Sequence, residues 1–181
     1  MVEEERFYTD IGIRQFCNFW IHKKLLTYNG KQYFSSEHIY QSMKYDYVGA
    51  SSHTLKYAEE IRKVSTANKA YYLGRMTQHP SNWPWKVLLN RIIEKYRNLG
   101  VIMRPDWKDV REDIMYSCLY AKFTQDLECQ RLLLSTGNKK LIEETKRDSY
   151  WGNGGDDTGQ NRLGILLMKL RTELRLSLED Q

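Results

Sequence analysis

The sequence predicts an α+β fold: a mostly helical single domain packed on a small β-sheet that contains an N-terminal hairpin. Asn29-Gly30 lies between two short strand-like runs, and several later segments repeat apolar residues at helical spacing. Leu163, Leu166, Leu167, Leu170 and Leu174 close the chain with the same period. A chain of 181 residues can bury a core without disulfides, so one domain over 1–181 is expected.

Lys24 to Tyr28 and Lys31 to Phe34 flank the turn, whose Asn-Gly pair suits a type I′ hairpin. Ser35-Ser36 then offers an N-cap for a helix over Glu37 to Tyr47. Further helices are predicted at Ser52 to Val64, Ala67 to Met76 and Trp85 to Leu99. Pro105-Asp106 opens another, reaching about Phe123 with Val110, Ile114, Met115, Cys118 and Leu119 on its apolar stripe. A shorter helix covers Leu127 to Ser135, and Lys140 to Glu144 reads as a strand returning to the hairpin's sheet.

Composition narrows the functional classes. No apolar run is long enough to span a bilayer, and the N-terminus lacks a charged-then-apolar leader, so a soluble, cytoplasmic protein with no membrane partner is expected. Three cysteines without a Cys-x-x-Cys pair fit a reducing compartment and suggest neither a disulfide framework nor a zinc ribbon. His22, His38, His53 and His79 are scattered, which disfavours a transition-metal site. The net charge of +5 permits an anionic partner, but the basic residues form no stripe.

Two clusters offer chemistry. Glu37 falls in the first turn of its helix, where free N–H groups and the macrodipole favour the carboxylate. Gln41 and Lys44 follow on the same face beside Tyr40; the plain alternative is an exposed polar face with a capping acid. The second cluster is the stretch from Asp148 to Gly164, dense in glycine, carboxylate, amide and indole groups, with Glu143 before it and Arg171 after it. Breaking a glycosidic bond builds positive charge on the sugar, which carboxylates from the two clusters could stabilise while Trp151 offers a stacking face. Asp156-Asp157 lacks the alternating ligands and closing Glu of a calcium loop, and the glycine spacing fits neither the Walker nor the dinucleotide pattern. Gly164 reads as a helix packing contact.

Several segments occur together: Phe16-Cys17-Asn18-Phe19-Trp20, Ser36-Glu37-His38-Ile39-Tyr40-Gln41, Trp107 with Met115, Ala121-Lys122-Phe123, Leu134-Ser135-Thr136-Gly137, Asp148-Ser149-Tyr150-Trp151-Gly152, and Asn161-Arg162-Leu163-Gly164. From about Phe7 to about Leu174 this ordered set resembles the NADAR family of N-glycosidases. The resemblance implies a compact α+β domain that hydrolyses N-glycosidic bonds without metal or cofactor. The implied substrate is a phosphorylated ribosylaminopyrimidine intermediate of riboflavin biosynthesis, releasing ribose 5-phosphate. An ADP-ribosyl group on guanine in nucleic acid is the alternative, and a non-catalytic ADP-ribose or nucleotide-binding module is a third reading.

Carried onto this sequence, the resemblance makes Glu37, Asp148, Lys44 and Trp151 the catalytic set. Glu37 polarises water or stabilises the oxocarbenium ion, Asp148 assists proton transfer, Trp151 stacks on base or ribose, and Lys44 is the candidate Schiff-base nucleophile. Asn18, Phe19, Gln41, Trp107, Glu143, Tyr150, Gly152 and Asn161 are the expected substrate contacts, with Arg75 and Lys122 as phosphate holders. The chain departs from the family pattern at Cys17, where Ser usually precedes the Asn-Phe pair. It departs again in an extended insertion around 77–104, read either as a cap carrying Trp83-Pro84-Trp85 or as a surface insertion packed by its own aromatics.

Overall fold

The computed structural model describes residues 3–77 and 84–179; Trp83 and His79 lie outside the described residues. The chain forms two compact units. One takes the described residues up to Trp20 and from Met115 onward, and the other is Ile21–Ile114.

Strand β1 (Glu4–Phe7) lies in the first unit; in the Ile21–Ile114 unit β2 (Leu26–Tyr28) and β3 (Lys31–Tyr33) pair antiparallel. Asn29 and Gly30 have φ of 48° and 72°, the left-handed pair that a type I′ turn demands. Helix α1 (Ser36–Ser42) follows, capped by the Ser35 side chain, and every one of its residues is buried. It packs against α2 (Ser52–Lys63) and α3 (Ala67–Gly74). The helix stops short of the expected Tyr47, since the backbone tightens into turns in which Tyr45 and Asp46 both donate to the Ser42 carbonyl.

The core of this unit is aromatic: Tyr45 meets Tyr57 edge-on at 4.8 Å, and Tyr57 meets Tyr96 at 5.1 Å. Tyr96 belongs to α4 (Pro84–Asn98), which covers most of the described insertion and packs through Leu89 and Ile93 on that core. Trp85 meets Tyr72 of α3 at 5.8 Å. The described part of the insertion is therefore an integral helix of this unit.

In the other unit, β1 (Glu4–Phe7) pairs with β4 (Lys140–Glu143) in parallel, from Glu4 opposite Lys140 to Phe7 opposite Glu143. This corrects the expectation that β4 returns to the hairpin, because the two pairs form separate two-stranded sheets. Helix α5 (Trp107–Gln125) crosses the boundary between the units, and α6 (Leu127–Ser135) and α7 (Arg162–Glu179) complete the fold. Phe7 meets Phe16 edge-on at 5.6 Å and Phe16 meets Phe123 at a tilt at 6.0 Å, with Leu133, Leu141, Leu163, Leu167 and Leu170 also in the core. Gly164 lets α7 close on β4, since a Cβ there would sit 2.1 Å from the Leu141 carbonyl oxygen. Cys17, Cys118 and Cys129 are buried and form no disulfide. Among the described residues no helix is long and apolar enough to cross a membrane.

Candidate active site

Complete burial of α1 forces its polar side chains to find partners inside the protein. His38 accounts for part of this. Its Nε2 lies 3.0 Å from the Val64 carbonyl, which can only accept, so Nε2 carries the proton and Nδ1 accepts from the Ser35 hydroxyl at 2.7 Å. Burial pushes the His38 pKa down to about 4, so this histidine is a neutral structural strut rather than an acid or base.

Glu37 is 4% exposed, which overturns the reading of an exposed capping carboxylate. Gln41, one turn later, donates from Nε2 to Glu37 Oε1 at 2.7 Å and fixes the carboxylate rotamer. Lys44 is also buried. Its Nζ contacts the Gly74 carbonyl at 3.4 Å and sits 5.7 Å from the centre of the Tyr40 ring and 5.4 Å from that of Trp107. Those two rings pack at 4.9 Å, so Trp107 is a buried wall of the lysine's aromatic seat. Burial pulls the Lys44 pKa from its ordinary value down to about 8; the negative charge of Glu37 opposes the shift and the positive charge of Arg75 adds to it. Arg75 itself is exposed, with its guanidinium over the Tyr71 ring at 5.4 Å and bonded to the Tyr71 hydroxyl.

The structure thus gathers Glu37, Gln41, Lys44, Arg75 and Trp107 within the Ile21–Ile114 unit. This set pairs a desolvated carboxylate with an amine whose pKa burial lowers to about 8. Gly74 and Tyr71 join it without having been singled out by sequence. Gly74 adjoins Arg75 in sequence, and Tyr71 lies one helical turn before it.

Asn18, Phe19, Lys122, Glu143, Asp148, Tyr150, Trp151, Gly152 and Asn161 belong to the other unit. There the loop from Asp148 to Gly164 is zipped by its own backbone: Gln160 donates to Ser149, Arg162 to Tyr150 and Leu163 to Trp151. Asp148 Oδ1 accepts from the amides of Tyr150 at 2.9 Å and Trp151 at 2.8 Å, so one carboxylate oxygen shapes the loop. Tyr150 and Trp151 meet edge-on at 5.1 Å. Asn153 is the hub that sequence reasoning missed, accepting from Thr145 and Gly155 and donating to Asp157.

Four expected substrate contacts have internal duties in this unit. A Cβ at Gly152 would fall 2.3 Å from Thr145 Cγ2, so this glycine serves close chain packing. Asn161, at φ 49°, accepts from the Glu143 amide at 3.0 Å and donates to the Leu141 carbonyl at 2.8 Å. Lys122 is fully buried, and its Nζ donates to the Cys17 carbonyl at 2.9 Å; an ammonium enclosed in this way is unavailable to a phosphate. Asn18 is buried too and donates to the sulfur of Met115.

N-glycosidase YbiA of Shigella boydii is 37% identical to this chain over 148 residues, covering 82% of this chain and 74% of that protein. Riboflavin biosynthesis protein VVA0006 of Vibrio vulnificus is 32% identical over 150 residues, which are 83% of this chain but 33% of that one. The solution NMR structure of YbiA from Escherichia coli matches with a TM-score of 0.73 at 33% identity, covering 100% of this chain and 91% of that chain. The NADAR domain model matches residues 6–175, and the chain belongs to the NADAR domain family.

Proposed function

We infer that the protein is an N-glycosidase hydrolysing the bond between ribose and amine in phosphorylated ribosylaminopyrimidine intermediates of riboflavin biosynthesis, with release of ribose 5-phosphate. The observation that carries the reading is the buried Glu37 carboxylate, clamped by Gln41 beside an amine whose pKa is about 8. A module that only bound a phosphorylated ligand would gain nothing from a desolvated carboxylate, which repels the ligand's own charge. A glycosidase uses that charge, because positive charge grows on the ribose ring as the C–N bond breaks. Relatives named N-glycosidase and riboflavin biosynthesis protein support the same chemistry and substrate.

Lys44 gives the reaction a covalent route. Roughly a tenth of an amine with pKa near 8 is unprotonated at pH 7. Its lone pair attacks the anomeric carbon as the aminopyrimidine leaves with a proton, and the ring opens to an imine that water hydrolyses. Glu37 stabilises the charge that develops on the sugar. Arg75 is the phosphate-holding cation.

The test is hydrolysis of a ribosylaminopyrimidine 5′-phosphate beside an ADP-ribosylated guanine oligonucleotide. The pyrimidine should be cleaved faster; the reverse order would move the assignment to ADP-ribose removal, and no cleavage of either would favour a binding module. Glu37→Gln should lower kcat by about 10²- to 10⁴-fold while ligand affinity persists. With Lys44 as nucleophile, kcat should rise with pH and level off above about 8, and borohydride should trap a sugar adduct that Lys44→Ala cannot form. A rate that falls above that pH, with no adduct, would leave Lys44 as a cation only.

A further inference from the structure

A cavity of about 340 Å³ opens in the unit that holds the parallel strand pair, lined by Tyr8, Ile11, Glu144, Thr145, Lys146, Arg147 and Gly155. It lies where the chain leaves the carboxyl ends of β1 and β4, at Phe7 and Glu143, and the Glu144 amide ties the two exits together by donating to the Phe7 carbonyl. Crevices outside the carboxyl ends of parallel strands are recurrent small-molecule sites. This one has the volume of the smaller known ligand pockets, more than a bare phosphate needs.

The lining is chemically lopsided. Lys146 and Arg147 are exposed, and neither side chain has an ion-pair or hydrogen-bond partner among the described residues. The acid of the lining, Glu144, is 3.6 Å from Arg6, which also pairs with Glu4 and Asp157. Two cations are therefore left for a visitor, while Tyr8 and Ile11 present an aromatic and an aliphatic wall. Gly155 permits the arrangement: at φ 86° its backbone runs beneath Lys146, and a Cβ there would fall 2.7 Å from Lys146 Cγ. The loop is fixed as well as open, since Asn153 Oδ1 holds the Thr145 and Gly155 amides and Thr145 Oγ1 accepts from the Arg147 amide.

We propose that this cavity binds the phosphate of a small phosphate monoester, with Lys146 and Arg147 on the phosphate and Tyr8 and Ile11 against the attached ring. The proposal does not depend on turnover, so it stands or falls apart from the N-glycosidase reading. Ribose 5-phosphate, inorganic phosphate and unphosphorylated ribose are titrated into the full chain while backbone amide shifts are recorded. Ribose 5-phosphate, and more weakly inorganic phosphate, should shift the amides of Thr145, Arg147 and Gly155, and ribose alone should not. Lys146→Gln/Arg147→Gln should weaken the binding read at those amides by about tenfold or more per charge lost. Lys146→Arg/Arg147→Lys should retain it. Both cations are exposed, and the unliganded spectrum shows whether each variant is folded. The proposal is overturned if those amides stay still, if they respond equally to ribose, or if the charge-neutral variant binds as the parent does. Shifts confined to Gln41, Lys44 and Gly74 would likewise overturn it while leaving the N-glycosidase site intact.

Discussion

The Gln41 amide holds Glu37, and that amide rests on a glycine. Gln41 Nε2 is committed to the carboxylate, whereas Oε1 is buried without a hydrogen-bond partner among the described residues. A Cβ at Gly74 would lie 2.0 Å from that oxygen, so any side chain at 74 drives the Gln41 amide away from Glu37. Gly74→Ala should therefore cost about 1–3 kcal/mol of stability through overpacking. It should also lower kcat by roughly tenfold with little change in KM, because the acid is misplaced while the binding groups remain. Adding Gln41→Ala removes the clashing amide but keeps the Cβ at 41, which would lie 2.7 Å from the new Cβ. The double variant should recover only part of the stability and none of the rate, a split that denaturation midpoints and steady-state kinetics would read. Recovery of the rate would show that Gln41 does not position Glu37.

At the scale of elements, local signals were legible in the sequence and distant ones were not. The hairpin and α6 follow from a left-handed Asn-Gly pair and an apolar period that need no tertiary context. β1 was missed because three of its four residues are charged; Arg6 finds Glu4, Glu144 and Asp157 only in the folded unit. The residue types at Glu37, Gln41 and Lys44 were readable from helical spacing, yet their burial comes from the way α1 packs on α2 and α3. The duty of the glycines in the Asp148 to Gly164 loop is not legible in sequence, since a glycine that admits a ligand and one that admits its own chain look the same there. Asn161 shows what that loop is built to hold: its side chain caps the edge of β4 at Glu143 and Leu141 just before α7 begins. Asn161→Ala should lose about 3 kcal/mol in urea unfolding, from two unsatisfied backbone groups and the loss of asparagine's tolerance of positive φ. Asn161→Gly should regain only about 1 kcal/mol of that; full recovery would mean the clamp contributes nothing.

For the molecule as a whole, buried lysines set how stability responds to alkaline pH. Lys122 is fully buried on α5, and burial lowers its pKa to about 8. In the unfolded chain the same lysine titrates near its ordinary value of about 10.4. Between these two values the unfolded state binds more protons than the folded one, so raising the pH favours the folded state. Below about pH 8 both states carry the proton, and the folded chain bears the full desolvation penalty, softened by the hydrogen bond to the Cys17 carbonyl. Lys122→Met keeps the side chain's length and removes the charge, at the loss of that one bond. The variant should be at least as stable as the parent at pH 7, since an apolar replacement of a buried charge is often neutral or stabilising. From pH 8 to about 10.4 the parent should gain on the variant by on the order of 3 kcal/mol. Groups common to both proteins cancel in the difference, so urea midpoints measured at pH 7, 9 and 10 isolate Lys122. A difference that stays flat across that window would mean that Lys122 titrates normally in the fold.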